Sequence, residues 1–570
     1  MTSFRVERLG FDVEGVSAWS RLSGQHSNWP VVYTINDSDD IYIGESRNAT
    51  ARMRQHLENP AKQHLQAVRV VIDETFNKSV CLDLESHLIR LFAGDGRFRV
   101  LNSNEGITDA DYFDRESYRE RFRELFDEFQ REGLLTRSVP EIENSDLFKL
   151  SPFKALTQDQ AVAVEDILEG LFDDLESGAR STSVVQGHPG TGKTVVGIYL
   201  MKLLSDIATS DPDETLDRDS LFSDFFREGF VELARGLRIG LVVPQQSLRE
   251  SVRKVFHKTP GLDKSMVLSS FDVGKSAERY DVLVIDEAHR LNQRANQSSA
   301  AANRNFAEIN IKLFGSDAAT HTQWDWIREQ SDHQILLLDS EQSVKPADLP
   351  LAMTQTLIAN ARAANRHYPL ISQMRVRAGE DYVGYVRRVL AGKPDARHEF
   401  AGYDFRFFDR FADMRSAVAA REAEVGLSRI VAGYAWEWVS KKNPEAVDIQ
   451  IENIGLKWNS TATDWINSPG STNEVGSIHT VQGYDLNYAG VIIGPDLRFN
   501  EQTGQLFVDR DSYFDKKGKE NNPTLGISYS DEDLLTFITN IYAVLLTRGI
   551  QGTYVYVCDP KLRAFLKQFF

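Results

Sequence analysis

Cysteine and long apolar runs are scarce in this sequence of 570 residues. Cys81 and Cys558 lie far apart and have no His or Cys neighbours at metal-ligand spacing, so neither a disulfide framework nor a zinc site is indicated. No apolar run reaches the roughly 18 residues that a membrane-spanning helix needs, and the first residues lack the apolar stretch of a secretory signal. We therefore expect a cytoplasmic protein that has no membrane partner.

Positive charge is also in short supply, with 65 Lys and Arg against 83 Asp and Glu and a net charge of -18. Affinity for phosphates comes from clustered Lys and Arg, so this balance excludes a surface coated with nucleic acid but leaves room for a local basic groove. A hydrophobic content of 41% with 26% charged residues is typical of folded globular proteins. The length predicts three or four compact units.

The first hundred residues have the pattern of a small α/β unit. Val31 to Ile35 and Ile41 to Ile43 are rich in β-formers, and the turn-forming residues 36–40 separate them, which predicts a hairpin. Apolar residues then recur at helical spacing from Asn48 to Leu57 and from Leu82 to Phe92.

From Leu156 onward, helical stretches alternate with short apolar runs, which predicts parallel sheets covered by helices. The predicted strands are Ile239 to Val243, Val282 to Ile285, Ile335 to Leu338, Val491 to Ile493 and Thr553 to Val557. The predicted domains are an N-terminal unit at 1–107, a helical connector and linker at 108–154, and two α/β lobes at 155–348 and 349–570.

A glycine-rich loop follows the apolar strand Ser183 to Val185 and precedes a helical run, and it fits the pattern G-x-x-x-x-G-K-[ST]. It reads Gly187, His188, Pro189, Gly190, Thr191, Gly192, Lys193, Thr194. Such loops turn backbone N–H groups toward phosphates, while Lys193 would meet the β and γ oxygens and the Thr194 hydroxyl would hold Mg²⁺. The loop predicts that the chain binds ATP.

Two acidic residues, Asp286 and Glu287, directly follow the apolar strand Val282 to Ile285. In open α/β sheets, ligands bind at the carboxyl ends of strands, so both acids should face the nucleotide. Asp286 would hold Mg²⁺ and Glu287 would orient or deprotonate the attacking water. An acidic pair after a strand can also be an ordinary helix N-cap.

The order of these and later motifs resembles superfamily 1 helicases, especially their Schlafen-type ATPases, across roughly residues 155 to 565. The resemblance implies that Gln160 reads adenine, that Gln342 in the segment 338–342 senses the γ-phosphate, and that Arg375 and Arg548 are arginine fingers. Further resemblances are at 373–375, 479–484 and 545–549. Rigid guanidinium groups stabilise the charge that spreads over the γ oxygens during phosphoryl transfer. On its own, each arginine would be an ordinary surface ion-pair partner.

The N-terminal unit contains a second ordered set of polar residues. Tyr33 and Tyr42 lie on the two predicted strands, Arg52 and His56 lie one turn apart on the next helix, and Glu85 lies on the later helix. This order resembles the GIY-YIG endonuclease family across roughly residues 28 to 105. The resemblance implies that Glu85 holds the metal, Arg52 stabilises the developing charge, Tyr33 with His56 activates water, and Tyr42 orients the site. Asn102 would have a structural hydrogen-bonding role.

The fold class implied is α/β: a small GIY-YIG-like domain followed by two RecA-like parallel-sheet lobes. The function implied is a nucleic-acid endonuclease coupled to an ATP-dependent helicase or translocase, with ATP and Mg²⁺ as cofactors and DNA favoured over RNA. Analogy of architecture suggests defence against foreign nucleic acid. Two alternatives stay open: an ATP-driven switch whose N-terminal domain recognises but does not cut, and an ATPase that processes RNA. The sequence identifies no protein partner.

Overall fold

The computed structural model describes residues 4–570, apart from 103–111, 211–221, 295–296, 298, 340–345, 373–380, 394–395, 462–464, 482–483, 517 and 522–524. The strands are β1 Phe4–Gly10, β2 Val31–Asn36, β3 Asp40–Ser46, β4 Ala67–Asp73, β5 Arg99–Val100, β6 Ser181–Gly187, β7 Ile239–Val242, β8 Val267–Leu268, β9 Tyr280–Ile285, β10 Ser331–Leu338, β11 His367–Leu370, β12 Asp404–Phe407, β13 Ser428–Ala432, β14 Ile449–Ile451, β15 Ile454–Trp458, β16 Glu474–Ser477, β17 Leu486–Ile493, β18 Leu497–Asn500, β19 Gln505–Val508 and β20 Gly549–Val557.

The helices are α1 Val13–Ser20, α2 Ala49–Glu58, α3 Lys78–Asp95, α4 Arg115–Arg131, α5 Val139–Asn144, α6 Asp146–Lys149, α7 Gln158–Ser177, α8 Lys193–Thr209, α9 Glu228–Ala234, α10 Gln246–Lys258, α11 Ser270–Lys275, α12 Ala300–Phe314, α13 Gln323–Glu329, α14 Leu351–Ala363, α15 Tyr382–Leu390, α16 Phe411–Val425, α17 Ile478–Val481, α18 Asp531–Leu546 and α19 Pro560–Leu566. Across the described ranges, every helix is too short or too polar to cross a bilayer.

The chain divides into two compact units. One unit comprises Met1–Glu165, Ile198–Gly236 and Ser251–Met266, and the other comprises Asp166–Gly197, Leu237–Glu250 and Val267–Phe570.

The first unit is built on a five-stranded sheet with the order β1-β4-β2-β3-β5, antiparallel except for the pair β3 and β5. The predicted hairpin is present as β2 and β3. Its turn forms because the Asp37 carboxylate accepts the backbone N–H groups of Asp39 and Asp40 at 2.8 and 2.7 Å. Asn48 and Asn77 cap the starts of α2 and α3 by accepting backbone N–H groups in the same way.

The predicted connector helix, observed as α4, packs against the N-terminal sheet domain. One face of α4 buries Phe122, Leu125, Phe126 and Phe129 in the same hydrophobic cluster as the inner face of α3. At the end of α4, Glu132 accepts a hydrogen bond from Arg69 of β4 at 2.9 Å. The predicted boundary at residue 107 therefore runs through a shared core, and the domain limits stay a prediction.

The second unit contains a six-stranded sheet of order β11-β6-β10-β9-β7-β8, in which every pair is parallel. A second sheet has seven strands in the order β12-β20-β17-β13-β16-β15-β14, with only the β14 and β15 hairpin antiparallel. Strands β9 and β17, which lie inside these sheets, are almost continuously buried, as expected where helices cover both faces. The sheets confirm the predicted α/β class with two parallel-sheet lobes. Sequence analysis located six of the thirteen strands of these two sheets and missed the others; the six are β6, β7, β9, β10, β17 and β20.

Candidate functional site

The glycine-rich loop connects the carboxyl end of β6 to the start of α8. Gly190 and Gly192 have φ angles of 87° and 77°, a left-handed conformation that glycine adopts without a steric penalty. The Thr191 hydroxyl folds back and donates to the His188 carbonyl at 3.0 Å. A Cβ atom at Gly187 would collide with that hydroxyl, so the tight turn requires glycine there.

Lys193, the first residue of α8, folds back over the loop. Its Nζ donates to the carbonyl oxygens of Gly187 and His188 at 2.5 and 3.0 Å. The same Nζ lies 4.0 Å from Oδ2 of Asp339, which follows β10. The residue is only 6% exposed, so the positive charge of its ammonium group lies at the loop, where phosphates bind in such folds.

Thr194 and Asp286 are in direct contact. The Thr194 hydroxyl donates to Oδ2 of Asp286 at 2.8 Å, and Asp286 is fully buried at the carboxyl end of β9. Burial, followed by the charge of Glu287, raises the pKa of Asp286 to about 7. A buried carboxylate beside a hydroxyl offers the oxygen ligands that Mg²⁺ prefers, and its unfavourable burial would be relieved by a cation. The two residues therefore fit the predicted metal site.

Glu287 lies beside His289 and Arg290, to which the sequence analysis assigned no role. Its Oε2 lies 3.0 Å from Nε2 of His289 and 3.2 Å from Nε of Arg290. Burial acts to raise the pKa of Glu287, but the contact with His289 and the charge of Arg290 outweigh it and hold the pKa well below the usual range. Glu287 is thus an ionised carboxylate, and its φ of 48° is a strained conformation for a residue with a side chain.

The tautomer of His289 follows from its hydrogen bond with Asp339. The backbone N–H of Asp339 donates to Nδ1 of His289 at 3.4 Å, so the ring proton lies on Nε2, which is 3.0 Å from Oε2 of Glu287. The segment 338–342 includes Asp339, but the sequence analysis assigned no role to Asp339 or His289. The local signal was their position after two predicted strands, with Asp339 directly after β10 and His289 four residues after the end of β9.

The structure describes two of the other predicted motor residues, Gln160 and Arg548. Gln160 is fully buried and its Oε1 accepts the Thr157 N–H at 3.0 Å, which caps α7, so its role in reading adenine stays a prediction. Arg548 is 3% exposed, and its Nη1 donates to the Tyr484 carbonyl at 3.3 Å. Gln342 and Arg375 lie outside the described residues.

In the N-terminal domain, Tyr33 and Tyr42 lie on neighbouring strands with ring centroids 6.4 Å apart. Tyr33 is paired with Gly44 across the hairpin, and a Cβ atom at Gly44 would overlap the Tyr33 hydroxyl. Glycine at this position therefore leaves the space that the hydroxyl fills. From there the hydroxyl reaches Nε2 of His56 at 2.9 Å.

Lys62 completes this cluster, although no motif marked it in the sequence. Its Nζ lies 3.1 Å from Nδ1 of His56 and 3.6 Å from the centre of the Tyr42 ring. An ammonium group can only donate, so Nδ1 accepts and Nε2 carries the proton that is donated to the Tyr33 oxygen. Burial, followed by the charges of Lys62 and Arg52, lowers the pKa of His56 to about 3. His56 is therefore neutral at physiological pH.

Arg52 and Glu85 bring opposite charges to the tyrosines. The half-buried Arg52 donates to Oε1 of Gln55 at 3.1 Å, and the nearby hydroxyl groups of Tyr33 and Tyr42 raise its pKa against the opposing effect of burial. Burial raises the pKa of Tyr33 well above its ordinary value, Glu85 raises it further, and Arg52 opposes the rise. Three of the five predicted residues, Tyr33, Tyr42 and His56, thus lie against one another, and Arg52 and Glu85 lie within electrostatic range.

Asn102 ties the end of this domain to β3. Its Oδ1 accepts the Ile43 N–H at 3.1 Å and its Nδ2 donates to the Ile43 carbonyl at 2.8 Å. These bonds extend the sheet by one side chain, which matches the structural role that the sequence suggested.

The parallel sheets and the loop at Lys193 define a helicase-like protein. Residues 180–559 match the family described as Schlafen group 3, DNA/RNA helicase domain, and the chain belongs to this family. The match does not extend to the cluster around Tyr33. An uncharacterized protein of Saccharomyces cerevisiae is 24% identical over 417 residues, which are 67% of this chain and 82% of that protein.

Two solved structures are similar at low identity. One is the helicase nonstructural protein 10 of an arterivirus, in complex with DNA, with a TM-score of 0.28 and 12% identity. The match covers 71% of this chain and 65% of that chain. Pif1 of Bacteroides, bound to single-stranded DNA, has a TM-score of 0.25 and 8% identity over 68% of this chain and 91% of that chain.

Proposed function

We propose that the chain hydrolyses ATP to drive movement along, or grip on, a nucleic-acid strand. The observation that carries this proposal is the contact of Thr194 with Asp286 beside the buried ammonium group of Lys193. A phosphate-binding loop, a metal-binding hydroxyl and a buried carboxylate are the parts that phosphoryl transfer requires. Membership of a helicase-domain family agrees with this chemistry.

In this proposal, Lys193 neutralises the β and γ oxygens of ATP. Thr194 and Asp286 hold Mg²⁺, which would supply positive charge on the transferred phosphoryl group. Glu287 is ionised and fixed by His289 and Arg290, so it can orient the attacking water and accept its proton.

The test compares two substitutions that act on different steps. Lys193→Ala should abolish nucleotide binding, whereas Glu287→Gln should keep binding and stop turnover because only the carboxylate charge is lost. Lys264→Ala and Glu278→Gln, both at exposed positions, are the controls. Nucleotide titration and phosphate release measure the two steps. Wild-type turnover in Lys193→Ala or in Glu287→Gln would reject the motor proposal.

A second proposed function is phosphodiester cleavage by the N-terminal domain. It is supported by the cluster in which His56 contacts the Tyr33 hydroxyl, with Arg52 and Glu85 in electrostatic range. Arg52 would stabilise negative charge on the scissile phosphate, and Glu85 would hold Mg²⁺. Because Nε2 of His56 donates to its oxygen, Tyr33 can turn its own O–H toward a water or substrate atom.

Cleavage is tested with pure protein, Mg²⁺, and DNA and RNA substrates with and without ATP. Arg52→Ala and Glu85→Ala should lose cleavage while strand-stimulated ATP hydrolysis stays intact. Arg54→Ala is a matched control, because Arg54 lies on the same helix and is exposed. If neither substitution changed cleavage, or if the wild type did not cut, the cleavage proposal would be rejected and the recognition alternative would stand. Preference for RNA would favour the RNA-processing alternative.

A further inference from the structure

A buried carboxylate near Glu85 has no role in the proposed chemistry. Glu45 follows Gly44 on β3, and its side chain is only 8% exposed. One oxygen, Oε1, accepts a hydrogen bond from Nζ of Lys78 at 2.6 Å. The other oxygen, Oε2, is buried and has no hydrogen-bond partner among the described residues. Such an oxygen is costly to bury unless a ligand satisfies it.

Lys78 and Glu85 lie on the same face of α3, the helix that packs against β3. Lys78, Cys81 and Glu85 are spaced at i, i+3 and i+7, which puts them on one helical face. Lys78 on this face donates a hydrogen bond to Glu45 of β3. Glu45 therefore lies beside the face of α3 that carries Glu85.

These carboxylates affect the pKa values of two neighbouring groups, Cys81 and Tyr33. Cys81 is fully buried, and its thiol pKa is raised by burial and then by the charges of Glu45 and Glu85. The charge of Glu85 also raises the pKa of Tyr33. Glu85 is thus within electrostatic range of Cys81, which Glu45 also affects, and of Tyr33 in the tyrosine cluster.

We propose that Glu45, through its unpartnered Oε2, is a second carboxylate ligand beside Glu85 for a divalent cation in the N-terminal domain. This inference rests on the proposed cleavage function. Carboxylate oxygens are the ligands that Mg²⁺ and Mn²⁺ prefer, and two carboxylates hold a hard cation more firmly than one. Lys78 fixes the orientation of Glu45 through Oε1 and leaves Oε2 for the cation.

The proposal is tested by Mn²⁺ titration of the full-length protein without nucleotide, with free Mn²⁺ followed by electron paramagnetic resonance. Glu45→Gln keeps the shape and the bond to Lys78 but removes the charge, so the affinity of the Glu85-dependent site should fall at least about tenfold. Glu85→Ala should remove that site. Glu14→Gln, at an exposed position in the same domain, should bind Mn²⁺ like the wild type.

Lys78→Met provides an independent variant in case Glu45→Gln does not fold. Loss of the ammonium group leaves the full charge of Glu45 for the cation, so this variant should bind Mn²⁺ more tightly than the wild type. If both variants bound like the wild type while Glu85→Ala lost the site, the role of Glu45 would be rejected and the cleavage proposal would survive. A wild-type protein without a Glu85-dependent site would overturn both.

Discussion

At the residue scale, Arg548 is the predicted arginine finger that the structure describes. Its guanidinium group is buried and donates a hydrogen bond to the Tyr484 carbonyl, which fixes its orientation. We expect Arg548→Ala to lower ATP turnover by roughly 10² and to leave nucleotide affinity nearly unchanged, because a finger acts on charge in the transition state.

The measurement is ATP turnover at saturation together with a nucleotide titration and the melting temperature. Arg548→Lys serves as the comparison, since a lysine keeps the charge but lacks the planar fork. Lost affinity with normal turnover would reject the finger. A lower melting temperature with normal turnover would assign Arg548 to the packing around Tyr484.

Asp496 offers a pH-dependent test at the same scale. Burial raises its pKa to about 7, although the Tyr542 hydroxyl donates to its Oδ1 at 2.5 Å. Between about pH 4 and pH 7 the native carboxyl keeps a proton that the unfolded chain releases, so its contribution to stability falls as pH rises through this window. We expect the melting temperature of Asp496→Asn relative to wild type to increase from pH 4 to pH 8.

The corresponding change in the free energy of unfolding is on the order of 4 kcal/mol at most, because each pKa unit corresponds to about 1.4 kcal/mol. Calorimetry of both proteins across this range measures it. A constant difference in melting temperature at all pH values would show that Asp496 has the same protonation in the folded and unfolded states.

At the scale of elements, helix α4 is a test of whether the predicted connector is part of the N-terminal domain. Phe129 is fully buried, and its ring lies 6.1 Å from that of Phe92 on α3. Phe129→Ala should destabilise the domain by about 3–5 kcal/mol, because the cavity loses both burial and packing. Thermal unfolding and limited proteolysis of the full chain measure the loss.

Phe113, just before α4, is the matched control because it is 93% exposed. Phe113→Ala should change the free energy of unfolding by less than about 0.5 kcal/mol, the scatter expected for surface substitutions. Equal effects of the two substitutions would mean that α4 does not stabilise the domain and is a separate arm.

At the scale of the whole molecule, the proposed motor and the proposed nuclease should depend on each other. If ATP hydrolysis moves the strand, ATP should change the rate or the position of cutting and not merely coexist with it. We expect Lys193→Ala to cut at the positions that the wild type uses without ATP. Mapping of cut sites with ATP, with a non-hydrolysable analogue and with neither gives the answer. Identical cut sites and rates in all three conditions would show that the activities are independent.

The sequence by itself determined the features that depend on neighbouring residues. The loop before Lys193, the hairpin with its turn at Asp37 and the acids after β9 were all predicted, because each is fixed by glycine conformations, local hydrogen bonds and the period of apolar residues. The α/β class followed from the same periodicity.

Only the tertiary structure decided which distant groups meet. Lys78 meets Glu45 and the backbone N–H of Asp339 meets His289, although 33 and 50 residues of sequence separate the partners, and no motif indicates either contact. Their contacts depend on strand order and on how each helix packs on its sheet. A pattern of local spacing does not specify either of these, because burial against non-local partners sets them.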